Sequence, residues 1–537
     1  MQRASPRVWF AWSAVLVGGV SLALYASTLD DHLVSDDFDG IWESAEGRGS
    51  WLVLSRPGSF WRPLSRLTHL LVYRLAGLDP AGHHGVNVGL QVVNAILVVV
   101  VADALTRRCA PEVDVSRRRV VATLSGLVFA VLPQHAEAAS WVSGRNDLLA
   151  TFFALLCLRA WLTDRSWGRR VAVCSPLLLA ALLSKESVVV LPAVLAVVDG
   201  AAAAGAPSRR DRLAAATSPW PLAVLVLVHV VVRGVVVGDL VGGYDVDAPG
   251  PMGLAANGIR LVLRSFVPAL PVVAWWVAVT VLVGVAGLVG VLSWRRRSAT
   301  GARPWTGART LPGVLLLLTG LACLPVVGLG VVISDTRGDR LLYLPTVFAA
   351  MLVAVVVARW WDRRPAAAVA AAAVVLVGCV VSVAHANSDW DRAARVSERL
   401  VDGACALDPT RSSYLVDLPD RVGGAYAGRN ALDAAGILRC GWRDGAPVSV
   451  LTSQTAGSVA DRVEVAPVGT RRWRIRIEPG QTFEDLPGRD PNWLVEGFTV
   501  VSVAPDEIEL SIAPGIDLDD VWLFSAGRWT RLAPDGR

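Results

Sequence analysis

The sequence predicts a mainly α-helical protein that crosses a membrane many times and carries a small domain of helices and β-strands near its C-terminal end. Hydrophobic residues make up 53% of the chain and charged residues only 18%, with a mean hydropathy of +0.49, a balance unlike that of soluble globular proteins. Apolar runs recur along the first 385 residues, and a run of about 18 such residues can cross a bilayer. Beyond residue 447 the apolar pattern has a period of two, which is typical of β-strands.

Eleven apolar segments are predicted to be transmembrane helices. Residues 171–199 are too long for one span and too short for two ordinary spans, so they are predicted to form a hairpin of two short helices. Lys185 and Glu186 then lie at its tip, where they must face a polar cavity because charges in lipid are costly. The predicted spans are 8–29, 86–105, 120–136, 147–163, 171–184, 186–199, 218–238, 271–293, 311–333, 341–359 and 366–385.

Arginine clusters predict the orientation of these spans. Every second short loop is rich in arginine, and such loops stay on the cytoplasmic side. The chain is therefore predicted to be a multi-pass protein of the cell (plasma) membrane, with a cytoplasmic N-terminus and an extracytoplasmic C-terminus. The segments predicted to face outward are 30–85, 137–146, 185–186, 239–270, 334–340 and 386–537.

The predicted domain boundary falls between residues 385 and 386. The extracytoplasmic part is predicted to be helical over 386–440, with amphipathic helices at 388–402 and about 420–438, and β-rich over 447–537. Cys405 and Cys440 lie in the helical part and could pair if it faces an oxidising compartment.

The net charge of +5 does not indicate a nucleic-acid partner, because the arginines form short clusters between apolar runs, as topology signals do. No cysteine has the spacing of a metal site. We assign no metal ligand or cofactor from the sequence and leave a requirement for a divalent cation open. Lys185 is the one lysine of the chain, although a coding bias towards arginine accounts for most of that difference.

The first outward loop, 30–85, contains the clearest candidates for chemistry. Asp36 and Asp37 follow the first span, and a carboxylate there can serve as a base if its pKa is tuned by a low dielectric and a nearby cation. The alternative is a solvated turn after a helix. Arg62 opens an amphipathic stretch that reaches Leu78 and is predicted to lie along the membrane surface; its guanidinium could either snorkel to headgroups or bind a phosphate.

Three further polar clusters are predicted to lie on the same side of the membrane. Together they suit sugar transfer from a polyprenyl-phosphate donor, because phosphate leaves without a strong general acid, one carboxylate can take the acceptor proton, and fixed cations stabilise the charge that develops on the phosphate. The clusters contain His135, Glu137, Arg145 and Asp147; then Lys185 and Glu186; and then Arg337, Arg340 and Tyr343.

Five segments, in order, resemble the multi-spanning GT-C glycosyltransferases, and among them the protein O-mannosyltransferases of the transmembrane-and-TPR type and their bacterial counterparts. The resemblance implies an inverting hexosyltransferase of the bacterial cell envelope, a mannosyltransferase or an enzyme for a similar sugar. Its acceptor would be a protein, a glycan or a glycolipid. The segments are SDDF at 35–38, the stretch from WRPLSRLTHLL to NAILV at 61–98, FAVLPQHAEAASWVSGRNDLLATFFALLCL at 129–158, LLSKESVVVLPAVLAVVD at 182–199 and DRLLYLPTVF at 339–348.

By that resemblance the catalytic base is Asp36 or Asp37, and Lys185, Arg337 and Arg340 contact the donor phosphate. The chain departs from the family in its tail, which shows no TPR-like repeat, and at Leu341, where the family motif has tyrosine. Two other functions stay open from the residues alone: a secondary transporter of a lipid-linked or small polar substrate, which broken helices with charged tips would suit, and a polysaccharide polymerase or ligase.

Overall fold

The computed structural model describes residues 5–46, 60–163, 166–206, 208–238, 249–280, 307–361, 364–442, 447–484 and 495–532. Most of the described chain up to residue 405 is helical, which confirms the predicted fold class. The helices are α1 (Pro6–Tyr25), α2 (Asp36–Glu46), α3 (Pro63–Ala76), α4 (Pro80–Cys109), α5 (Val115–Val131), α6 (Ala136–Ser140), α7 (Arg145–Thr163), α8 (Trp167–Ser184), α9 (Leu191–Ala202), α10 (Arg209–Thr217), α11 (Trp220–Val237), α12 (Pro251–Arg264), α13 (272–280), α14 (Gly307–Cys323), α15 (Tyr343–Trp361), α16 (Pro365–Cys405) and α17 (Ala431–Ala435).

Seven helical stretches within the described residues are long and apolar enough to cross a membrane, and a bent pair formed by Val115–Val131 and Pro133–Ser140 would make eight. The chain is therefore a multi-pass membrane protein. Ten of the eleven predicted spans lie on helices described here, whereas the span predicted at 271–293 extends beyond residue 280, outside the described residues. The count of eleven stays a prediction, because α9 and α14 are shorter than an ordinary span.

The stretch 171–199, predicted to be a hairpin of two short helices, is interrupted at the charged residues Lys185 and Glu186. Helix α8 ends at Ser184, Lys185 has extended backbone angles, and a 3-10 turn (Glu186–Val190) leads into α9. This break places both charged side chains at the junction of two helices and turns them towards their neighbours.

Helix α4 lies at the centre of the bundle and packs against α1, α5 and α7. Its contact with α5 is close because Gly126 has no side chain: a Cβ atom there would lie 2.4 Å from Val99 Cγ2 and 3.0 Å from the Ala95 carbonyl oxygen. Small residues commonly allow such close approach between membrane helices, where van der Waals packing holds the helices together.

The C-terminal region contains two sheets, and a strand lies where one helix was predicted. The helix predicted at about 420–438 is wrong: β1 (Ser413–Val422) precedes a turn, and only α17 and a π-helical turn (Gly436–Cys440) follow. The chain reverses at Gly423, whose φ of 56° suits glycine, so a helix cannot continue there. The helix predicted at 388–402 is confirmed as part of α16, which crosses the predicted domain boundary without a break.

Strand β1 is the centre of the larger sheet, parallel to both β3 (Val448–Ala456) and β9 (Val521–Ser525). The order in this sheet is β10-β9-β1-β3-β6, and β2 (Ala425–Tyr426) pairs with β1. The smaller sheet is antiparallel in the order β4-β5-β8-β7. The remaining strands are β4 (Glu464–Gly469), β5 (Arg472–Arg476), β6 (Phe483–Glu484), β7 (Phe498–Ala504), β8 (Glu507–Ile512) and β10 (Arg528–Arg531).

A disulfide joins Cys405, at the end of α16, to Cys440. The structure thus answers a question that the sequence left open, and the disulfide links the long helix α16 to the π-helical turn after α17.

We expect Gly126→Ala to destabilise the protein by about 1–3 kcal/mol, because the added methyl group overpacks the contact between α4 and α5. Gly89→Ala is the matched control, since a Cβ atom at this α4 position meets nothing within 4 Å. Thermal unfolding in detergent measures both, and equal midpoints for the two variants would contradict this account of the helix contact.

Candidate functional site

The acidic pair begins helix α2. Asp36, Asp37 and Asp39 all lie in the first turn of this helix, where the helix dipole favours negative charge. The preceding residue, Ser35, has a positive φ of 51°, a conformation that is uncommon outside glycine, and its backbone amide donates to the Ala427 carbonyl at 3.0 Å. The start of α2 is thus fixed by its own charges and by the C-terminal region.

The two aspartates have different surroundings. Asp37 is fully buried, and its two oxygens accept hydrogen bonds from the backbone amides of Val34 at 3.1 Å and Ser143 at 2.7 Å. Burial raises the pKa of Asp37 to about 7, although these amides oppose the rise. Asp37 therefore connects the loop before α2 to the segment before α7.

Asp36 is only half-buried. Its Oδ1 accepts a hydrogen bond from Asn430 Nδ2 at 2.8 Å and a longer one from Ser35 Oγ at 3.5 Å. Burial raises the pKa of Asp36, while the Asn430 amide and the charges of Arg340 and Arg429 lower it. A partly accessible carboxylate with a raised pKa is a stronger base than an ordinary aspartate and can accept a proton.

Glu137 and Arg340 form an ion pair next to this carboxylate. Glu137 is fully buried and accepts from the Arg340 guanidinium, and its Oε2 also accepts from the Arg340 backbone amide at 2.8 Å. The same guanidinium lies 4.7 Å from the centre of the Trp141 ring. Because its backbone and its side chain are both held, Arg340 is a fixed positive charge near Asp36.

The beginning of α7 carries two more of the predicted residues. Arg145 is fully buried and donates to Asn87 Oδ1 at 2.9 Å, to the His83 carbonyl at 2.8 Å and to His69 Nδ1 at 3.3 Å. Burial lowers the pKa of His69 well below its usual value, so its neutral ring can accept from Arg145. This arginine is therefore surrounded by protein acceptors.

Asp147 pairs with Lys185. The lysine ammonium group donates to both carboxylate oxygens, at 2.7 and 2.6 Å, and both side chains are almost fully buried. The neighbouring Glu186 accepts two hydrogen bonds from Arg62, at 3.1 Å from Nε and 2.6 Å from Nη2. Breaking either pair would leave an uncompensated charge.

The structure therefore brings eight of the predicted residues into two groups. The aspartate site is Asp36, Asp37, Glu137 and Arg340, and the lysine site is Arg62, Asp147, Lys185 and Glu186. Ser143, whose backbone amide binds Asp37, lies in the 3-10 turn Val142–Gly144, and Asp147, which binds Lys185, follows four residues later in the first turn of α7. One short segment thus connects both groups.

Four predicted residues lie outside these two groups, and one of them is Arg145, whose partners are given above. The other three are His135, Tyr343 and Arg337. His135 and Tyr343 are fully buried in a closed polar network, in which His135 Nε2 lies 2.8 Å from Thr346 Oγ1 and the Tyr343 hydroxyl donates to Gln91. Arg337 is half-exposed and pairs with Asp335 at 2.9 Å. In this structure these three side chains contact protein partners outside the two groups defined above.

Sequence reasoning missed Arg264 and the residues after β1. Arg264 is fully buried, pairs with Asp339 and donates to the Val332 carbonyl at 3.1 Å. It thereby holds the turn that carries Arg340. The sequence offered one sign of Arg264, which is an arginine within the amphipathic helix α12. No local feature of the sequence points to Arg429 or Asn430, because only the folded chain brings them close to Asp36.

Within the described residues, no group of three or more His, Cys, Asp or Glu side chains is arranged to hold a metal ion.

Segments of this chain are similar to curated O-mannosyltransferases. Tmtc1, a protein O-mannosyl-transferase of Drosophila melanogaster, is 35% identical over 195 residues, which is 33% of this chain and 21% of the relative. TMTC4, a protein O-mannosyl-transferase of Homo sapiens, is 30% identical over 165 residues, which is 27% of this chain and 22% of the relative. The matched part of this chain thus spans about a fifth of the length of these relatives, and it confirms the resemblance that the motifs predict.

The crystal structure of ArnT from Cupriavidus metallidurans bound to undecaprenyl phosphate matches with a TM-score of 0.40 and 16% sequence identity, over 75% of this chain and 82% of that chain. No protein-family profile matches the sequence.

We expect Arg264→Met to destabilise the protein by about 3–5 kcal/mol, because it leaves the Asp339 carboxylate buried without its cation. Adding Asp339→Asn should recover a large part of this loss. Arg260→Met, at an exposed position one turn earlier on the same helix, is the control and should change little. The measurement is thermal unfolding in detergent. If the double variant were no more stable than Arg264→Met, the ion pair between Arg264 and Asp339 would not explain the loss.

Proposed function

We propose that this protein is a membrane glycosyltransferase that moves a hexose, mannose or a similar sugar, from a polyprenyl-phosphate donor to an acceptor hydroxyl with inversion at the sugar. The observation that carries the proposal is the half-buried Asp36 carboxylate beside a fixed arginine, connected through residues 143–147 to a second group of buried cations. The similarity to O-mannosyltransferases supports the same reaction class. The acceptor hydroxyl belongs to a protein, a glycan or a glycolipid.

Asp36 acts as the general base in this proposal. Both oxygens of Asp37 are occupied by backbone amides, so Asp37 is a positioning residue that holds the loop. The two hydrogen bonds to Asp36 both reach Oδ1, and within the described part of the chain none reaches Oδ2. Oδ2 is therefore the atom that takes the proton as the acceptor oxygen attacks the anomeric carbon and the bond to the phosphate breaks.

The lysine site binds the donor phosphate in this proposal. A phosphate that leaves the sugar gains negative charge, and an ammonium or guanidinium group held in place stabilises that charge without reorganising. Lys185 is held by Asp147, and Arg62 by Glu186. The polyprenyl chain accounts for a site placed among membrane helices.

The site faces the extracytoplasmic side of the plasma membrane in this proposal, with the N-terminus in the cytoplasm. The arginine-rich loops support this orientation. The disulfide between Cys405 and Cys440 supports it independently, because disulfides persist in oxidising compartments. The aspartate site contacts the same C-terminal region that carries this disulfide, and so it belongs on that side.

We expect Asp36→Asn to lower sugar transfer about a hundredfold or more, because an amide cannot serve as a base. Asp37→Asn should mainly lower stability, by about 1–3 kcal/mol, because one backbone amide loses its acceptor. The measurement is transfer of radiolabel from a polyprenyl-phosphate sugar into membrane fractions, with thermal unfolding alongside.

The same assay tests the pH dependence. Burial raises the pKa of Asp36, and the base must be ionised, so transfer should fall with decreasing pH at values above the range of an ordinary aspartate, which is about 4. Full activity of Asp36→Asn, or activity that persists unchanged at pH 4, would overturn the assignment of the base.

We expect the double variant Lys185→Met with Asp147→Asn to raise the donor concentration needed for half-maximal rate about tenfold or more, since a cation at the phosphate is lost. Changing both partners avoids leaving a buried carboxylate unpaired. Arg107→Met, at a half-exposed position on the predicted cytoplasmic side, is the control. If donor dependence were unchanged in the double variant, the lysine site would not bind the phosphate.

A further inference from the structure

The segment between β1 and α17, residues 423–430, extends from the C-terminal region to the aspartate site. We call it the β1–α17 turn. Asn430 Nδ2 donates to Asp36 Oδ1 at 2.8 Å, across a sequence separation of 394 residues. The Ala427 carbonyl accepts from the Ser35 amide at 3.0 Å. The turn therefore contacts the candidate base and the residue immediately before it.

The β1–α17 turn is held firmly to strand β1. Arg429 donates two hydrogen bonds to Asp420, at 2.8 and 2.6 Å, and Asp420 is fully buried. The backbone amides of Ala427 and Gly428 donate to the Asp420 and Pro419 carbonyls at 2.8 and 2.9 Å. A side chain that projects from such a segment is preorganised, so its direction is set before any substrate binds.

The other end of the turn is seated on the membrane domain. A Cβ atom at Gly424 would lie 2.1 Å from Thr336 Oγ1 and 2.8 Å from the Thr336 amide nitrogen, in the loop that leads to Arg340. Tyr426 lies with its ring centre 5.1 Å from that of Trp141, the ring beneath the Arg340 guanidinium. The turn therefore contacts all three sequence segments that supply the aspartate site, which carry Asp36, Glu137 and Arg340.

We propose that the β1–α17 turn is an integral part of the transfer site and that Asn430 is a positioning residue for Asp36. Its amide occupies Oδ1 and so directs Oδ2 towards the acceptor hydroxyl. This inference rests on the proposed function, because it assigns a partner to the proposed base. It also assigns the C-terminal region a role inside the site, in addition to any contact it makes with an acceptor.

Substitutions at Asn430 can test this without disturbing the backbone. Asn430 has a φ of 55°, which glycine adopts readily and aspartate tolerates. Asn430→Gly removes the amide, and Asn430→Asp replaces it with a second carboxylate next to Asp36. Ala526→Gly is the matched control, because Ala526 has a φ of 48° in the same region but lies on the hairpin between β9 and β10.

We expect Asn430→Gly to lower the rate of radiolabel transfer from polyprenyl-phosphate mannose at neutral pH by roughly tenfold, the effect of one hydrogen bond to an ionised group. The lost bond favoured the ionised carboxylate, so the acidic limb of the pH profile should move to higher pH. Asn430→Asp should move it further, because like charges disfavour ionisation. The unfolding midpoint of Asn430→Gly should match that of Ala526→Gly.

The outcomes separate the two proposals. If the unaltered protein transfers no label, the proposed function fails. If it transfers label and Asp36→Asn does not, but Asn430→Gly has the rate and pH profile of Ala526→Gly, then only the role of Asn430 is overturned. A loss of rate that is equal at every pH, together with a lower unfolding midpoint, would also overturn it, since that pattern indicates a structural role.

Gly424→Val provides a second test that leaves Asn430 in place. Its side chain would push the β1–α17 turn away from Thr336, so the acidic limb should shift in the same direction as in Asn430→Gly. Gly515→Val is the control, since a Cβ atom there meets nothing within 4 Å. Gly441→Val would not serve, because the φ of 73° at Gly441 would itself strain a valine. An unshifted pH profile in Gly424→Val would contradict the proposal.

Discussion

Pairing of buried charges is the constraint on which the rest of this site depends. A carboxylate or cation taken out of water costs several kcal/mol unless an opposite charge and hydrogen bonds surround it. Glu137 and Arg340, Asp147 and Lys185, and Arg264 and Asp339 each meet this requirement across segments that are far apart in sequence. Each pair therefore joins two separate segments of the chain, and each of these charged groups is held in place by both segments.

The same constraint explains why the two neighbouring aspartates differ. Asp37 obtains its partners from backbone amides, which fixes it in place and occupies both of its oxygens. Asp36 obtains one close partner, Asn430, from a region hundreds of residues later in the chain. One carboxylate can thus hold the loop while the other keeps an oxygen for chemistry, and neither role is visible from the dipeptide itself.

The sequence predicted the broad fold because membrane helices have a strong local signal. Length, apolar composition and arginine bias located nearly all the helical spans, and the break at Lys185 followed from a charged pair inside an apolar run. The prediction of a helix over residues 420–438 was wrong, because the apolar positions of β1 and the small residues that follow have the spacing of an amphipathic helix. The strand is fixed by pairing with β3 and β9, more than thirty residues further on, and such pairing has no local signal.

The sequence predicted which residue types form the candidate site, but not which side chains contact one another there. The motifs located Asp36, Glu137, Lys185 and Arg340, because dense charge at helix ends is unusual. They could not show that His135 and Tyr343 face a closed network, since burial depends on how α4, α5 and α15 pack. Nor could they identify Asn430, because an exposed asparagine after a glycine-rich turn is ordinary until its neighbour across the fold is known.

The single lysine illustrates how geometry refines an observation from composition. Apart from histidines, every other basic residue of the chain is an arginine, and Lys185 occupies a site that is 2% exposed. Its ammonium group has three donors, and two of them bind the oxygens of Asp147. Arginine would bring a planar fork of five donors that needs more acceptors and more room. A compact ammonium can instead satisfy one carboxylate and still offer a hydrogen to a second anion, and under the proposed function that anion is the donor phosphate.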